Sequence, residues 1–104
     1  HHEESYVMFL NRANKALGVS LISKGGMAET VMDVKIILQT ALKVHASRII
    51  LSHNHPSGNL RPSEPDKQIT SKIKEACKVL DLHLLDHIIL TEEGYYSFAD
   101  EGLL

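Results

Sequence analysis

The most informative part of the sequence runs from residue 48 to residue 66 and reads RIILSHNHPSGNLRPSEPD. Its first part, Ile49-Ile50-Leu51, is a short continuous apolar run, which is typical of a strand buried on both faces of a sheet. This strand leads directly into His53. Residues 53–65 then hold three prolines and a glycine, a composition that predicts a loop.

Outward from this stretch, apolar residues recur at helical spacing in two segments. One helix is expected from Asp33, as its N-cap, to about His45, and the other from near Ser63 or Glu64 to about Leu80. The strand candidates are Tyr6–Leu10, Ala16–Ser23, Arg48–Ser52, His83–Leu90 and Tyr95–Phe98. The first two strands would form a hairpin. This alternation predicts an α/β fold, a three-layer-like sandwich around one mixed β-sheet.

Length and composition narrow the class of protein. The 104 residues suit a single domain spanning 1–104, with residues 1–3 as a tag remnant or a disordered end. A net charge of -2 gives no overall attraction to nucleic acid or to an anionic membrane. No apolar stretch approaches the roughly 18 residues of a membrane span. Because Cys77 is the single cysteine, no internal disulfide can form, and we expect a cytoplasmic protein.

Two histidines follow the buried strand at a spacing of two. Residues i and i+2 of an extended chain point to the same side, so His53 and His55 can direct both imidazoles at one point. A His-x-His pair is weak evidence by itself. Other residues in the same stretch make a metal site the better interpretation.

Asp66 is the third candidate ligand. It lies in the first turn of the second predicted helix, three residues before Ile69 and seven before Ile73, so it heads the apolar stripe and faces the sheet. A buried carboxylate needs a partner. Two histidines and one carboxylate leave the fourth position of a tetrahedral zinc open to water, as in catalytic sites.

A second interpretation concerns the same carboxylate. Ser63-x-x-Asp66 matches a capping box, in which Ser63 caps the helix and Asp66 bonds back to it. Both interpretations suit Ser63, but they compete for the Asp66 carboxylate.

The spacing His53-x-His55-x7-Ser63-x2-Asp66 fits the JAMM (MPN-plus) metalloprotease motif without deviation. The wider wording resembles the RadC branch of that superfamily. It includes FLNRAN at 9–14, SKGG at 23–26, HNHPSGN at 53–59 and LDH at 85–87. The resemblance covers nearly the whole chain. It implies the JAB/MPN fold, which is cytidine-deaminase-like, and one Zn²⁺ per chain.

The resemblance also implies catalytic roles. The family places a glutamate upstream as general base, two residues before an aromatic residue. Glu4 fits because Tyr6 follows at that spacing, Glu3 stays open as its alternative, and Glu29 is a fallback in the wrong segment. Ser63 would donate a hydrogen bond to the oxyanion that develops on the attacked carbonyl.

The function implied is zinc-dependent hydrolysis of a peptide or isopeptide bond in a peptide or protein substrate. The RadC name carries an association with DNA repair, which gives an alternative acting on or recruited to DNA. Family members add an N-terminal helical module of DNA-binding type, and we expect no direct DNA binding by this slightly acidic domain. A non-catalytic metal-binding interaction module is the third alternative.

Three other polar residues are candidates for a place in or near the site. His87, after Asp86, is expected to be a structural histidine, with a place near the metal or the substrate as its alternative. Asn59 and Arg61, in the loop, are candidates for substrate contact.

Overall fold

The structure is a computed structural model and describes residues 3–25 and 32–104. His1, His2 and Glu29 lie outside these ranges. The elements in chain order are β1 (Glu3–Leu10), β2 (Ala16–Gly25), α1 (Val34–Lys43), β3 (Arg48–Asn54), α2 (Glu64–Val79), β4 (His83–Leu90) and β5 (Tyr95–Ser97). No helix in the described residues has the length and apolar character that a bilayer crossing needs.

One mixed sheet contains all five strands in the order β2-β1-β3-β4-β5. The β1–β2, β1–β3 and β4–β5 pairs are antiparallel, whereas β3 and β4 are parallel. A parallel pair needs a crossover connection, and α2 supplies it. The expected α/β class, the mixed sheet and the first hairpin are therefore confirmed. The crossover places residues 55–63 at the carboxyl ends of two neighbouring strands.

Both helices begin at the predicted caps. The Asp33 carboxylate accepts hydrogen bonds from the backbone N–H groups of Lys35 and Ile36 at 3.0 and 3.4 Å. At α2 the Ser63 hydroxyl accepts the Asp66 N–H at 3.1 Å. These bonds use N–H groups that have no partner inside the helix.

The core lies on one face of the sheet. Val7 and Phe9 of β1 are paired with Leu51 and Ile49 of β3, and all four side chains are buried. Buried residues of α1 (Ile37, Ala41) and of α2 (Ile73, Cys77) join the same cluster. Both helices therefore cover this face of the sheet in the described residues. Cys77 is buried in this cluster, and the burial raises the pKa of its thiol to about 11.

The first strand is longer than predicted. It begins at Glu3 rather than Tyr6, because Glu3 pairs with Gly25 of β2 and Ser5 pairs with His53 of β3. Glu3 is thus part of the sheet and not of a disordered end. Successive side chains of a strand alternate between faces, so Glu3 and Ser5 share the core face with Val7, and Glu4 shares the other face with Tyr6.

Candidate metal centre

His53 and His55 converge at the end of β3, as their spacing predicted. His53 is buried, His55 is half-buried, and their Nε2 atoms are 3.0 Å apart. The rings stand edge to face, with centroids 4.7 Å apart. The two imidazoles therefore present their Nε2 atoms to a common point.

Asp66 reaches this point from the first turn of α2. Its Oδ1 lies 3.3 Å from His53 Nε2 and its Oδ2 lies 3.2 Å from His55 Nε2. Burial acts to raise the pKa of Asp66, but the contact with His53 and the hydrogen bond from the Ser63 N–H outweigh it, and the pKa lies well below its usual range. Asp66 is therefore a carboxylate at neutral pH, the form that binds cations.

The same carboxylate also completes the capping box. The Ser63 N–H donates to Asp66 Oδ2 at 2.8 Å, while the Ser63 hydroxyl accepts the Asp66 N–H. The two interpretations of Asp66 are compatible, because a carboxylate has about four acceptor positions. Helix capping fixes the side chain in the orientation that faces the histidines.

Of the two N-terminal glutamates, the structure brings Glu3 to the histidines. Glu3 Oε1 lies 3.8 Å from His55 Nε2, and the ligand atoms of Glu3, His53 and His55 all lie within 4.8 Å of one another. The Glu4 side chain lies on the opposite face of β1, where it accepts a hydrogen bond of 3.3 Å from the Tyr6 hydroxyl. The pKa of Tyr6 is raised, chiefly by the Glu4 charge.

The tautomer of the neutral His55 ring follows from its second contact. Its Nδ1 lies 2.6 Å from the backbone oxygen of Asn59. A carbonyl oxygen only accepts hydrogen bonds, so Nδ1 carries the proton and the Nε2 of the neutral ring keeps a lone pair. That lone pair points to Asp66 and His53. Asn59, a candidate for substrate contact, thus orients His55 through its backbone.

His87 and Thr70 join the cluster from two other elements. His87 Nε2 lies 2.8 Å from His53 Nδ1, and His87 Nδ1 lies 2.5 Å from Thr70 Oγ1. His87 is fully buried, and this burial, followed by the charge of His53, lowers its pKa to about 3. The contact of His87 with a candidate ligand agrees with the alternative that placed it near the metal, whereas the sequence did not single out Thr70.

The arrangement of donor atoms fits a tetrahedral metal ion. Ligands about 2.0–2.1 Å from zinc at tetrahedral angles lie roughly 3.3 Å from one another. The two Nε2 atoms are 3.0 Å apart, Asp66 Oδ1 lies 3.3 Å from His53 Nε2, and the other carboxylate oxygen, Oδ2, lies 3.2 Å from His55 Nε2. The three side chains thus form a triangle. Two imidazoles and a carboxylate are also donors that zinc accepts in catalytic sites. Glu3, at 3.8 Å from His55, lies just beyond this triangle.

A cleft of about 580 Å³ opens beside His55. It is lined by residues 54–58, at the end of β3, and by residues 90–93, after β4. Both segments follow the carboxyl ends of the two parallel strands, which is where ligands commonly bind in open α/β sheets. The cleft has the volume range of small-ligand and peptide side-chain pockets.

Comparison with known proteins agrees with the motif. The family model of the RadC-like JAB domain matches residues 1–103. A UPF0758 protein of Flavobacterium johnsoniae is 53% identical over 102 residues, which cover 98% of this chain and 44% of the relative. A UPF0758 protein of Porphyromonas gingivalis is 48% identical over 103 residues, 98% of this chain and 45% of the relative. The chain spans less than half the length of these relatives. The resemblance to the RadC branch is confirmed, and the chain belongs to the family of RadC-like JAB domains.

Proposed function

We propose that this domain is a zinc-dependent hydrolase that cleaves a peptide or isopeptide bond, with His53, His55 and Asp66 as the metal ligands. The observation that carries the proposal is the convergence of the two Nε2 atoms and the Asp66 carboxylate, whose closest separations of 3.0–3.3 Å suit ligands of one zinc ion. The family relationship is consistent with this function.

The number of donors favours a catalytic site over a structural one. Structural zinc sites have four protein ligands, whereas catalytic sites have three and an open position. The fourth candidate, Glu3, lies 3.8 Å from His55 and so stands outside the triangle. We therefore assign Glu3 as the general base in place of Glu4, whose side chain lies on the other face of β1.

The chemistry divides between the metal and the side chains. Zinc, when bound, would act as a Lewis acid and lower the pKa of water towards neutrality. The Glu3 carboxylate accepts the proton from the attacking water and hands it to the leaving amine. The Ser63 hydroxyl accepts the Asp66 N–H, which leaves its own hydrogen available to donate to the oxyanion of the attacked carbonyl.

The test measures metal content and cleavage on the same preparation. The protein is purified without added zinc, its metals are quantified by elemental analysis, and a peptide library is screened for cleavage with and without a chelator. We expect one zinc per chain and chelator-sensitive cleavage. The His53→Ala and Asp66→Ala variants should lose both, while His83→Ala, an exposed histidine on β4, should retain both.

Other outcomes separate the alternatives. Stoichiometric zinc with no peptide cleaved would replace the hydrolase by a non-catalytic metal-binding module. Tight, salt-sensitive binding of DNA in a mobility-shift assay would favour the DNA-associated alternative, because phosphate contacts make affinity depend steeply on salt. An Asp66→Ala variant that holds zinc as well as the wild type would remove the ligand assignment.

A further inference from the structure

We propose that His87 and Thr70 are positioning residues that hold His53 as its Nδ1–H tautomer and connect it to the backbone of Asp66. The inference rests on the proposed function, because it concerns how two of the assigned zinc ligands are prepared for the metal. It adds two residues from outside the metal-binding motif to the site.

The direction of each hydrogen bond follows from a backbone carbonyl. Thr70 Oγ1 lies 2.6 Å from the Asp66 carbonyl oxygen, which can only accept, so the Thr70 hydroxyl donates its single hydrogen there. The same Oγ1 must then accept from His87 Nδ1. A neutral His87 with its proton on Nδ1 has a lone pair on Nε2.

The last step reaches the ligand. His87 Nε2, with its lone pair, lies 2.8 Å from His53 Nδ1, so His53 Nδ1 is the donor. His53 Nε2 of the neutral ring is then left with the lone pair that a metal requires. Every donor in the chain from His53 through His87 and Thr70 to Asp66 has one acceptor.

This chain parallels the one at His55. There a single contact, from Nδ1 to the Asn59 carbonyl, sets the same tautomer. At His53 the partner of Nδ1 is the His87 side chain, and His87 and Thr70 together connect it to the Asp66 carbonyl. Outer partners of this kind orient metal-binding histidines and fix their tautomer.

The surroundings leave no room for solvent to replace these bonds. His87 and Thr70 are 0% and 1% exposed. The His87 ring is stacked on Phe98, with centroids 4.7 Å apart and planes inclined by 12°. The stack holds the ring plane, so its two nitrogens stay directed at His53 and Thr70. The hydrogen bonds from His53 through His87 to Thr70 also connect β3, β4 and α2 at one end of the site.

Nuclear magnetic resonance of the unsubstituted protein reads the tautomers directly. Long-range ¹H–¹⁵N correlation spectra of the histidine rings are recorded with a chelator and then with one equivalent of zinc. We expect the proton of His87 on Nδ1 in both states, and His53 with a protonated Nδ1 and a zinc-shifted Nε2. A proton on His87 Nε2 in either state would overturn the inference.

Substitutions measure what the chain contributes to metal binding. Zinc affinity is determined by competition with a chromophoric chelator, and thermal unfolding of the metal-free protein is measured in parallel. We expect His87→Phe to weaken zinc binding by roughly 10- to 100-fold. His87→Gln, whose amide can accept and donate, should recover part of that loss. Thr70→Val should weaken binding, whereas Thr70→Ser should stay within about threefold of wild type.

The readouts distinguish positioning from packing. If His87→Phe lowered the unfolding temperature of the metal-free protein but bound zinc like the wild type, His87 would be a packing residue and the inference would fail. If the unsubstituted protein bound no zinc at all, the proposed function would fail, while the tautomer of His87 in the metal-free spectrum would still test the hydrogen-bond chain.

Discussion

The N–H of Ser63 donates a hydrogen bond of 2.8 Å to Asp66, on the same carboxylate oxygen that lies 3.2 Å from His55 Nε2. The Asp66 side chain thus takes part in the N-terminal cap of α2 and also faces the candidate metal centre. The pairing means that the helix N-terminus and the metal site share a residue, and that substitutions can separate the two roles.

Ser63→Ala should mainly lower the stability of the fold, whereas Asp66→Asn should mainly lower the affinity for zinc. Ser63→Ala removes the acceptor of the Asp66 N–H, so we expect a loss of about 1 kcal/mol in the free energy of unfolding and zinc affinity within about threefold. Asp66→Asn keeps an oxygen for the Ser63 N–H but removes the ligand charge. It should lose more zinc affinity than the roughly 10- to 100-fold that loss of an outer partner costs.

Urea unfolding of the metal-free protein and chelator competition measure the two effects. Ser71→Ala, on an exposed position of the same helix, is the matched control and should change stability by less than about 0.5 kcal/mol. If Ser63→Ala abolished zinc binding, the cap and the metal site could not be treated as separable.

Glu3 and Glu4 offer a second matched pair, since the two residues are adjacent and chemically identical. Under the proposed function, Glu3→Gln should lower kcat/KM by roughly 10²- to 10⁴-fold because it removes the general base. Glu4→Gln should leave kcat/KM near the wild-type value, because that side chain contacts Tyr6 on the opposite face.

Both glutamate variants are assayed on a peptide that the cleavage screen identifies, and zinc content is measured on the same samples. Zinc content should stay at the wild-type level in both, since neither residue is assigned as a ligand. A large loss in Glu4→Gln with normal turnover in Glu3→Gln would restore the assignment made from the sequence.

Much of this site could be predicted because its parts are close in sequence. The apolar run 49–51 predicted β3, and Ser63 predicted the start of α2, so the strand end and the helix start that carry His53, His55 and Asp66 followed. The resemblance to the RadC branch depended on the same stretch. Local signals suffice where a short loop joins the two elements that hold a site.

The parts that failed depend on contacts between distant segments. The start of β1 at Glu3 requires pairing with Gly25 and His53, which the sequence of the strand does not show. The alternation along β1 does not decide between Glu3 and Glu4, because Val7 and Phe9 are apolar on one face and Tyr6 and Met8 on the other. For His87 the difficulty is the register: the β3–β4 pairing shifts between Ile49 and Ile50, so the facing residue cannot be counted from strand ends.

The face of the sheet that the helices cover also depends on contacts between distant segments. The apolar run 49–51 predicts a strand that is buried on both faces. In the structure Tyr6 is 37% exposed and Val19 of β2 is 57% exposed, so the described residues cover one face. An apolar strand pattern indicates which faces of a sheet can be buried, and the positions of the helices determine which face is buried.

Both helices end with a non-glycine residue in the left-handed region, which gives a prediction about stability. His45 follows α1 with φ 56° and Asp81 follows α2 with φ 57°. The next residues bond back to the helices, Ala46 N–H to Ala41 O at 2.9 Å and Leu82 N–H to Cys77 O at 2.8 Å. Glycine is the preferred residue at this position of a helix end.

We expect His45→Gly to raise the free energy of unfolding by about 0.5–1 kcal/mol, measured by urea unfolding with an unchanged m-value. Asp81→Gly should raise the free energy of unfolding by less, since aspartate tolerates this conformation. Gly102→Ala is the reciprocal control: φ is 74° and no atom lies within 4 Å of the added Cβ, so it should cost about 1 kcal/mol through the backbone alone. A loss of stability in His45→Gly would show that the imidazole makes a contribution larger than the backbone strain.

The buried His87 gives a prediction about pH. Its pKa falls from an ordinary value of 6.5 to about 3 in the folded protein, so the unfolded chain binds a proton more readily. The stability that depends on neutral His87 is therefore fully present above pH 6.5 and is lost as the pH falls towards 3. The slope for one such group is about 1.4 kcal/mol per pH unit. The lowered pKa of Asp66 acts in the same direction only in more acidic solution, below about pH 3.8.

Urea unfolding of the metal-free protein between pH 7 and 4.5 isolates the effect of His87. The wild type should lose stability with falling pH, and His87→Gln should lose it less steeply by up to about 1.4 kcal/mol per pH unit, because glutamine does not titrate. His83→Gln, at an exposed position of the same strand, is the matched control and should keep the wild-type slope. Equal slopes for the wild type and His87→Gln would mean that His87 takes up a proton as readily in the folded protein as in the unfolded chain, so that the fold does not confine the ring to its neutral form.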